Sequence, residues 1–358
     1  MLQQSVDTWR LPGLRLHALM DRLREQAPLV PVRFMDAPAW LITQHGALEV
    51  AFKDAESFPP HLTYQLGIEP VIGQTFQSME GAQHRFYRKL ATPTFRPRVV
   101  ERMDETMLAD VADELIEQFV SDGQSDLVAQ FTERYPYMVI ARLLGIPRNE
   151  EEQFSRWVVG ILQFNWQPEQ ALRCRDELWA YLVPVLAERR RSPKDDVISQ
   201  LLHDELDGVR MNNEQVLAHI GIMFTAGSST THNAIGNLLS GLLSGVGLWQ
   251  DVRENAQLRD NAIEEALRWE SAVSILPRLS RLDAATEFGG VELPPGSFVL
   301  MGICAANHDP EVFDEPHVFD IHRDSSRKIT FGHGARTCPG MHLVRRELRV
   351  TLDILLER

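Results

Sequence analysis

The stretch FGHGARTCPG at residues 331–340 guides the interpretation of the whole chain, because it places Cys338 directly ahead of a helix predicted over residues 341–356. The free N–H groups and positive dipole end of a helix N-terminus stabilise a thiolate. The glycines allow tight backbone turns that bring N–H groups towards the sulfur. Arg336 adds a nearby cation that can pair with an anionic cofactor group. The pattern predicts a thiolate that ligates a metal.

Two other interpretations of Cys338 are open when the cysteine is taken alone. A free cysteine is usually a small, inert, buried hydrophobic residue. A zinc site needs several Cys or His residues at short spacing, and here only His333 and His342 lie nearby. Neither interpretation explains the full ten-residue pattern.

The pattern Phe-x-x-Gly-x-x-x-Cys-x-Gly is the haem-thiolate signature of the cytochrome P450 family, and this stretch resembles it at every fixed position. The resemblance implies haem b (iron protoporphyrin IX) as cofactor and Cys338 as its axial ligand. It also implies that Phe331, Gly332, Arg336 and Gly340 surround the haem.

The same resemblance implies a mainly α fold with small β-sheets (α+β), in which a long central helix lies over the haem and the cysteine loop lies below it. We expect one domain over residues 1–358. Family members normally continue into a further β-rich segment, so a chain that ends at Arg358 is expected to lack its C-terminal β region.

The composition excludes several classes of protein. The chain is 44% hydrophobic and 24% charged, which is typical of globular domains. A net charge of −14 without a long basic run argues against nucleic-acid binding. No signal-peptide core or apolar run long enough for a membrane anchor is present. Three scattered cysteines fit a reducing compartment, and we predict a cytoplasmic protein.

Helical periodicity predicts helices over residues 101–122 and 127–144, and alternation over residues 286–293 predicts a hairpin around Gly289 and Gly290.

The longest predicted helix covers residues 213–243, with Asn212 or Asn213 as its cap, and its all-round apolarity indicates burial. Its middle, AGSSTT at residues 226–231, allows a flat ligand to approach, and its hydroxyls can bond back to carbonyls and open the helix. A close crossing of two helices is the other interpretation. The segment resembles the family's oxygen-binding helix, which puts Ala226 and Gly227 at the haem and Thr230 at the threonine that assists proton delivery.

Ser229 departs from the family pattern, which usually has Asp or Glu at this position. A hydroxyl can pass a proton along hydrogen-bonded water, but it cannot titrate near neutrality as a carboxylate can. We therefore hypothesise a slower or water-mediated proton relay, with more uncoupled turnover.

His84 and Arg88 lie four residues apart on a predicted polar helix, so they share one face. A solvated face is the ordinary interpretation. Residues 80–88, however, are similar to the family segment that reaches the haem propionates, and the resemblance gives Arg278 the same role. A loop predicted over residues 57–79 and a strand predicted over residues 271–276 supply the expected substrate-pocket residues, which are Phe58, Leu62, Tyr64, Phe76, Val273, Ile275 and Leu276.

Glu265 and Arg268 resemble the family's Glu-x-x-Arg pair, a buried ion pair that fixes the cysteine loop, although such pairs are often merely solvated. The usual third partner is an arginine, and Val318 stands at its position. His317 and Arg323 are both candidates to replace it.

The resemblance implies a monooxygenase that inserts one oxygen atom from O2 into a hydrophobic small organic substrate. Electrons would come from a separate ferredoxin and ferredoxin reductase. A peroxygenase driven by hydrogen peroxide and a non-catalytic haem or ligand-binding protein are the alternatives. The basic residues expected to face an acidic electron donor, or else to be ordinary solvated cations, are Arg88, Lys89, Arg96, Arg98, Arg345, Arg346 and Arg349.

Overall fold

The computed structural model describes residues 4–7, 13–103 and 107–358. Two compact units are present: Met1–Thr63 with Asn237–Cys338, and Tyr64–Gly236 with Pro339–Arg358. Helices dominate the described chain and the strands are short, so the predicted mainly α class with small sheets is confirmed. The single domain over residues 1–358 stays a prediction.

The described helices and strands have the following bounds in chain order. They are α1 (Leu14–Arg24), β1 (Leu29–Phe34), β2 (Ala37–Ile42), α2 (His45–Lys53), α3 (Pro60–Gly67), α4 (Glu69–Ile72), α5 (Gly81–Ala91), α6 (Pro97–Val100), α7 (Ala109–Ile116), α8 (Tyr135–Leu143), α9 (Glu151–Leu162), α10 (Pro168–Arg191), α11 (Val197–His203), α12 (Asn213–Ser244), α13 (Leu248–Glu254), α14 (Gln257–Trp269), β3 (Leu276–Leu279), β4 (Thr286–Phe288), β5 (Val291–Leu293), β6 (Phe298–Met301), α15 (Ile303–Asn307) and α16 (Met341–Glu357).

The first unit contains a four-stranded sheet in the order β1-β2-β6-β3. Strand β2 pairs antiparallel with β1 and parallel with β6, where Trp40 lies opposite Val299. Strand β3 is antiparallel to β6 and carries Arg278 opposite Val299. Strands β4 and β5 form the hairpin predicted around Gly289 and Gly290, whose positive φ values of 59° and 77° suit its tight turn.

Alternation along the strands gives this sheet a core on each face. Leu41 and Leu300 pack in one cluster with apolar residues of α1. Their neighbours Ile42 and Val299 pack in a second cluster with residues of α2. Because successive strand residues point to opposite faces, β2 and β6 serve both cores at once.

Four sequence predictions of secondary structure are corrected. Residues 57–79 are not a loop throughout, because Pro60 and Pro70 lie in the first turns of α3 and α4, where a missing N–H costs nothing. The helix predicted over residues 127–144 is a π-helical turn at Val128–Thr132 followed by α8, with Pro136 in the first turn of α8.

The other two corrections concern element lengths. Of the helix predicted over residues 101–122, the described α-helical part is Ala109–Ile116, and residues 104–106 lie outside the described chain. The strand predicted from residue 271 begins only at Leu276.

Glu265 and Arg268 form a fully buried ion pair on α14. Arg268 Nε and Nη2 donate to the two carboxylate oxygens of Glu265 at 2.8 and 2.7 Å. The guanidinium also donates to the carbonyls of Asn307, Pro316 and Val318. Buried charges are tolerated when hydrogen bonds surround them in this way, so the interpretation as a solvated pair is excluded.

Arg323, and not His317, is the third partner of the pair. Arg323 Nε donates to Glu265 Oε1 at 3.2 Å, and Ser325 Oγ donates to Oε2 at 2.7 Å. His317 Nε2 instead lies 2.8 Å from Asp21 Oδ2. The segment that follows α15 is therefore tied to α14 by side chains from both sides.

We expect Arg323→Met to lower the free energy of unfolding by about 2–3 kcal/mol, because it removes a donor from a fully buried carboxylate. Arg281→Met is the matched control, since Arg281 pairs with the exposed Glu56 and Asp283 and should contribute nothing measurable. Urea unfolding curves measure both variants. Equal losses in the two variants would contradict this account of the network.

Candidate active site

The cysteine loop is shaped by short-range backbone hydrogen bonds. Gly332 N–H donates to the Ile329 carbonyl at 2.9 Å, and Cys338 N–H donates to the Phe331 carbonyl at 3.0 Å. Gly332 and Gly334 have φ values of 68° and 75°, in the left-handed region that favours glycine. Gly340 has a φ of −80°, which any residue adopts, so its backbone does not require glycine.

Asn307 connects this loop to the ion-pair helix, and the sequence analysis missed it. Its Oδ1 accepts the Ile329 N–H at 2.8 Å, and its Nδ2 donates to Thr330 Oγ1 at 2.9 Å. Thr330 Oγ1 in turn donates to the Leu267 carbonyl on α14 at 2.6 Å. The sequence signal that could have identified Asn307 is its position as the polar residue at the end of the otherwise apolar helix Ile303–Asn307.

The donor set around Cys338 fits a haem better than a bare metal ion. Across residues 4–7, 13–103 and 107–358, no three His, Cys, Asp or Glu side chains lie together in a way that could hold a metal ion. One thiolate can hold a metal securely when the remaining ligands come with the metal, as the porphyrin nitrogens do. Zinc, which takes four protein ligands in a structural site, does not fit this loop.

The predicted haem contacts in the first unit are half-buried or buried. Phe331, Gly332, Arg336 and Cys338 are each partly accessible in the loop. Arg278 on β3 is only 4% exposed. A guanidinium held in a buried strand is suited to a carboxylate partner such as a propionate.

In the second unit, His84 and Arg88 lie on one face of α5 and share Phe76 as a neighbour. The His84 ring centroid lies 6.2 Å from that of Phe76, and the Arg88 guanidinium carbon lies 6.0 Å from it. His84 is 3% exposed and Phe76 is 6% exposed. The pair is therefore not a solvated face, and it presents an imidazole and a guanidinium together.

Helix α12 begins with a reciprocal cap, as the sequence predicted, and Asn212 is the capping residue. Asn212 Oδ1 accepts the Gln215 N–H at 2.9 Å, and Gln215 Oε1 accepts the Asn212 N–H at 3.0 Å. The helix is continuous from Asn213 to Ser244, so the predicted opening at its middle is not observed.

The middle of α12 has one accessible and one buried face. Ala226 is exposed and Ser229 and Thr230 are half-buried, whereas Ser228 and Thr231 are buried. These sets follow helical spacing, so each marks one side of the helix. The hydroxyl of Thr230 donates to the Ala226 carbonyl at 2.6 Å, as predicted for backward bonding, and its oxygen keeps acceptor capacity.

Glu347 on α16 is a buried carboxyl group that the sequence analysis did not single out. It is 1% exposed. Burial raises its pKa to about 8, although its hydrogen-bonding contact with the Thr231 hydroxyl acts in the opposite direction. Glu347 is therefore mainly a neutral acid at pH 7, beside the buried Tyr135, whose own pKa is raised by burial and then by Glu347.

A half-buried thiol in a braced glycine loop is typical of the class of proteins that hold haem through a thiolate. A sequence model described as "Cytochrome P450" matches residues 8–257 and 248–358. The chain belongs to the cytochrome P450 family.

Similar proteins cover nearly the whole chain. "Putative cytochrome P450 YjiB" of Bacillus subtilis is 31% identical over 94% of this chain and 85% of its own length. "Vitamin D(3) 25-hydroxylase" of Pseudonocardia autotrophica is 31% identical over 97% of this chain and 86% of its own length. The structure of cytochrome P450 CYP109Q5 from Chondromyces apiculatus matches with a TM-score of 0.88 and 28% identity, covering 99% of this chain and 91% of that one.

Family membership makes this chain a haem-iron monooxygenase, as the sequence predicted. Within the described ranges, none of the helices has the length and apolarity needed to span a bilayer. The individual haem and proton-delivery residues stay predictions, supported by the geometry given above.

We expect the stability of the wild-type protein to fall by roughly 3–4 kcal/mol between pH 5 and 8 through Glu347 alone. Its folded pKa of about 8 lies above the ordinary glutamate value of 4.5, so the folded state holds a proton that the unfolded chain has lost. Glu347→Gln should remove this slope, as measured by urea unfolding across that range. Glu357→Gln, an exposed change on the same helix, is the control, and an unchanged slope in Glu347→Gln would disprove the assignment.

Proposed function

We propose that the chain inserts one oxygen atom from O2 into a hydrophobic small organic substrate, with electrons from a separate ferredoxin-type donor. The observation that carries this proposal is the thiol of Cys338 in a loop braced by Asn307 and the buried ion pair. When bound, haem b supplies the oxidation chemistry, and the thiolate ligand favours O–O cleavage.

The chain's own residues hold and orient the cofactor in this proposal. Cys338 would hold the haem iron through its thiolate, and its loop would contribute Phe331, Gly332, Arg336 and Gly340. Ala226 and Gly227 offer the accessible small-residue face of α12. Three cationic or imidazole donors, His84, Arg88 and Arg278, bind the propionates.

Proton delivery is assigned to Thr230 and Ser229. Their hydroxyls lie on the accessible side of α12 and bond to carbonyls of their own helix, at 2.6 Å for Thr230 and 3.5 Å for Ser229. Each oxygen can therefore accept from water while its proton is directed at the backbone. Without a carboxylate at Ser229, the relay depends on water, and we infer that coupling of electrons to product is reduced.

An apolar substrate is supported by the predicted pocket residues and by one relative. Leu62, Tyr64, Val273 and Leu276 are half-buried, so part of their apolar surface is accessible, whereas Phe58, Phe76 and Ile275 are packed in the interior. The relative named "Vitamin D(3) 25-hydroxylase" carries a hydrophobic substrate in its name. The substrate of this chain is proposed at the level of that chemical class.

The electron donor is proposed to be an acidic protein. Arg345 and Arg349 lie one turn apart on α16 with part of their side chains accessible, and Arg349 also pairs with Asp353 at 2.8 Å. Cations on one helix face steer an acidic partner even when the net charge is negative.

A cytoplasmic location remains a prediction from cysteine usage.

A peroxygenase is the second candidate, and Ser229 is the observation that favours it. A reaction driven by hydrogen peroxide needs no acid to deliver protons, so a hydroxyl in place of a carboxylate at this position would not slow the reaction. The retained Thr230 favours the O2-driven reaction.

We expect the reduced, carbon-monoxide-bound protein to show the red-shifted absorption band of a haem-thiolate, and Cys338→Ser to lose it because a serine hydroxyl stays protonated. Cys174→Ser is the matched control, since it makes the same change at another half-buried cysteine. A band that survives in Cys338→Ser, or is missing from the wild type, would refute the ligand assignment.

We expect Ser229→Asp to raise the fraction of electrons recovered as product severalfold, and Thr230→Ala to lower product formation by about tenfold or more. Product, consumed reductant and released peroxide are measured with a ferredoxin system and vitamin D3 as a probe substrate. Ser240→Asp introduces the same charge at an exposed site on α12 and is the control.

The peroxide-driven alternative predicts a different result. Turnover with added hydrogen peroxide would then match or exceed turnover with the ferredoxin system. Neither Ser229→Asp nor Thr230→Ala would alter the peroxide-driven turnover. Haem binding without turnover by either route would favour the non-catalytic alternative.

A further inference from the structure

His219 on α12 is completely buried, and both of its ring nitrogens have partners. Nδ1 lies 2.6 Å from the Gln215 carbonyl oxygen, which can only accept. Nε2 lies 3.2 Å from the Phe76 amide nitrogen, which can only donate. The ring must therefore be neutral, with its proton on Nδ1 and a lone pair on Nε2.

This protonation state agrees with the surroundings of the ring. Burial lowers the pKa of His219 to about 4, with the Gln215 carbonyl acting in the opposite direction. A proton on Nε2 would set two donors against each other and break the bond to Phe76. The contact therefore depends on an uncharged imidazole.

His219 also lies inside a stack of rings. The Phe76 ring centroid is 5.8 Å away at an interplanar angle of 28°, and the Tyr87 ring centroid is 6.5 Å away at 22°. Gln215 Nε2 donates to the Tyr87 hydroxyl at 2.8 Å, which holds the second ring in place. Gln215 and His219, one turn apart on α12, thus each hydrogen-bond to one of the two aromatic residues.

Phe76, one ring of this stack, contacts both residues that are proposed to bind the haem propionates. Phe76 contacts the His84 ring and lies under the Arg88 guanidinium. Tyr87, His84 and Arg88 share one face of α5 by helical spacing. A cation above an aromatic face is held more firmly when the ring cannot move.

We propose that His219 is a positioning residue, which holds the Phe76 amide through its unprotonated Nε2 and so fixes the surface on which His84 and Arg88 rest. The inference depends on the proposed haem-binding role of His84 and Arg88. Losing the acceptor would remove the hydrogen bond that His219 Nε2 accepts from the buried Phe76 N–H, which favours displacement of Phe76.

Three variants separate positioning from simple packing. His219→Phe keeps an aromatic ring for the stack and removes the acceptor. His219→Gln keeps an amide oxygen that can accept the Phe76 N–H. Leu217→Ala truncates another buried residue on the same helix and controls for general loss of stability.

The first measurement is the rate of haem transfer from each holoprotein to excess apomyoglobin, in the wild-type and Arg88→Met backgrounds. We expect His219→Phe to accelerate transfer by about tenfold or more in the wild-type background and by much less in Arg88→Met. His219→Gln and Leu217→Ala should stay near their parents. Equal acceleration in both backgrounds, or acceleration by Leu217→Ala, would overturn the inference.

The second measurement does not use haem chemistry. Nitrogen-15 NMR at pH 6 should show His219 neutral and protonated on Nδ1, and the Phe76 amide should exchange with solvent about tenfold faster or more in His219→Phe, but not in His219→Gln. A protonated ring or an unaffected Phe76 amide would overturn the inference. If the amide responds and haem transfer does not, positioning of the haem contacts is disproved, while the thiolate function, which rests on the Cys338 spectrum, is untouched.

Discussion

The buried pair of Glu265 and Arg268 is the constraint on which the first unit depends. Removing two charges from water costs several kcal/mol each unless every polar atom is satisfied. The carboxylate meets this demand with Arg323 and Ser325, and the guanidinium meets it with backbone carbonyls that include Asn307. The segment after α15 therefore has little freedom, and the amide of Asn307 extends that order to the residues that open the cysteine loop.

Two buried groups of the second unit are held in their neutral forms. His219 keeps a single ring proton and Glu347 stays protonated, because burial disfavours the charged form of each. Pairing stabilises the full charges of Glu265 and Arg268 in the first unit and of Arg189 and Asp196 in the second, whereas His219 is neutral with both of its ring nitrogens hydrogen-bonded. A neutral group of defined tautomer can orient an amide or a hydroxyl without creating a strong local field.

The sequence predicted the cysteine loop and the long helix well, because both depend on local chemistry. Glycines at positive φ and an Asn cap at a helix start can be recognised from a few neighbouring residues of the sequence. Contacts between distant segments cannot be recognised in this way. Val318 occupies the position at which the family usually has an arginine. Only the three-dimensional structure shows that Arg323 takes over the contact with Glu265. The role of His219 was equally hidden, since its partner Phe76 lies on a separate segment.

The sheet of the first unit has a consequence for how this chain is made. Strand β2 is bordered on one side by β1, which is translated just before it, and on the other by β6, in a register that joins Trp40 to Val299. The hairpin of β1 and β2 therefore has an unpaired edge on β2 until the ribosome has translated the residues that lie between β2 and β6. Unpaired edges of that kind attract other strands, and long-range pairing is slow. Biosynthesis of this protein is thus most exposed to aggregation before β6 emerges.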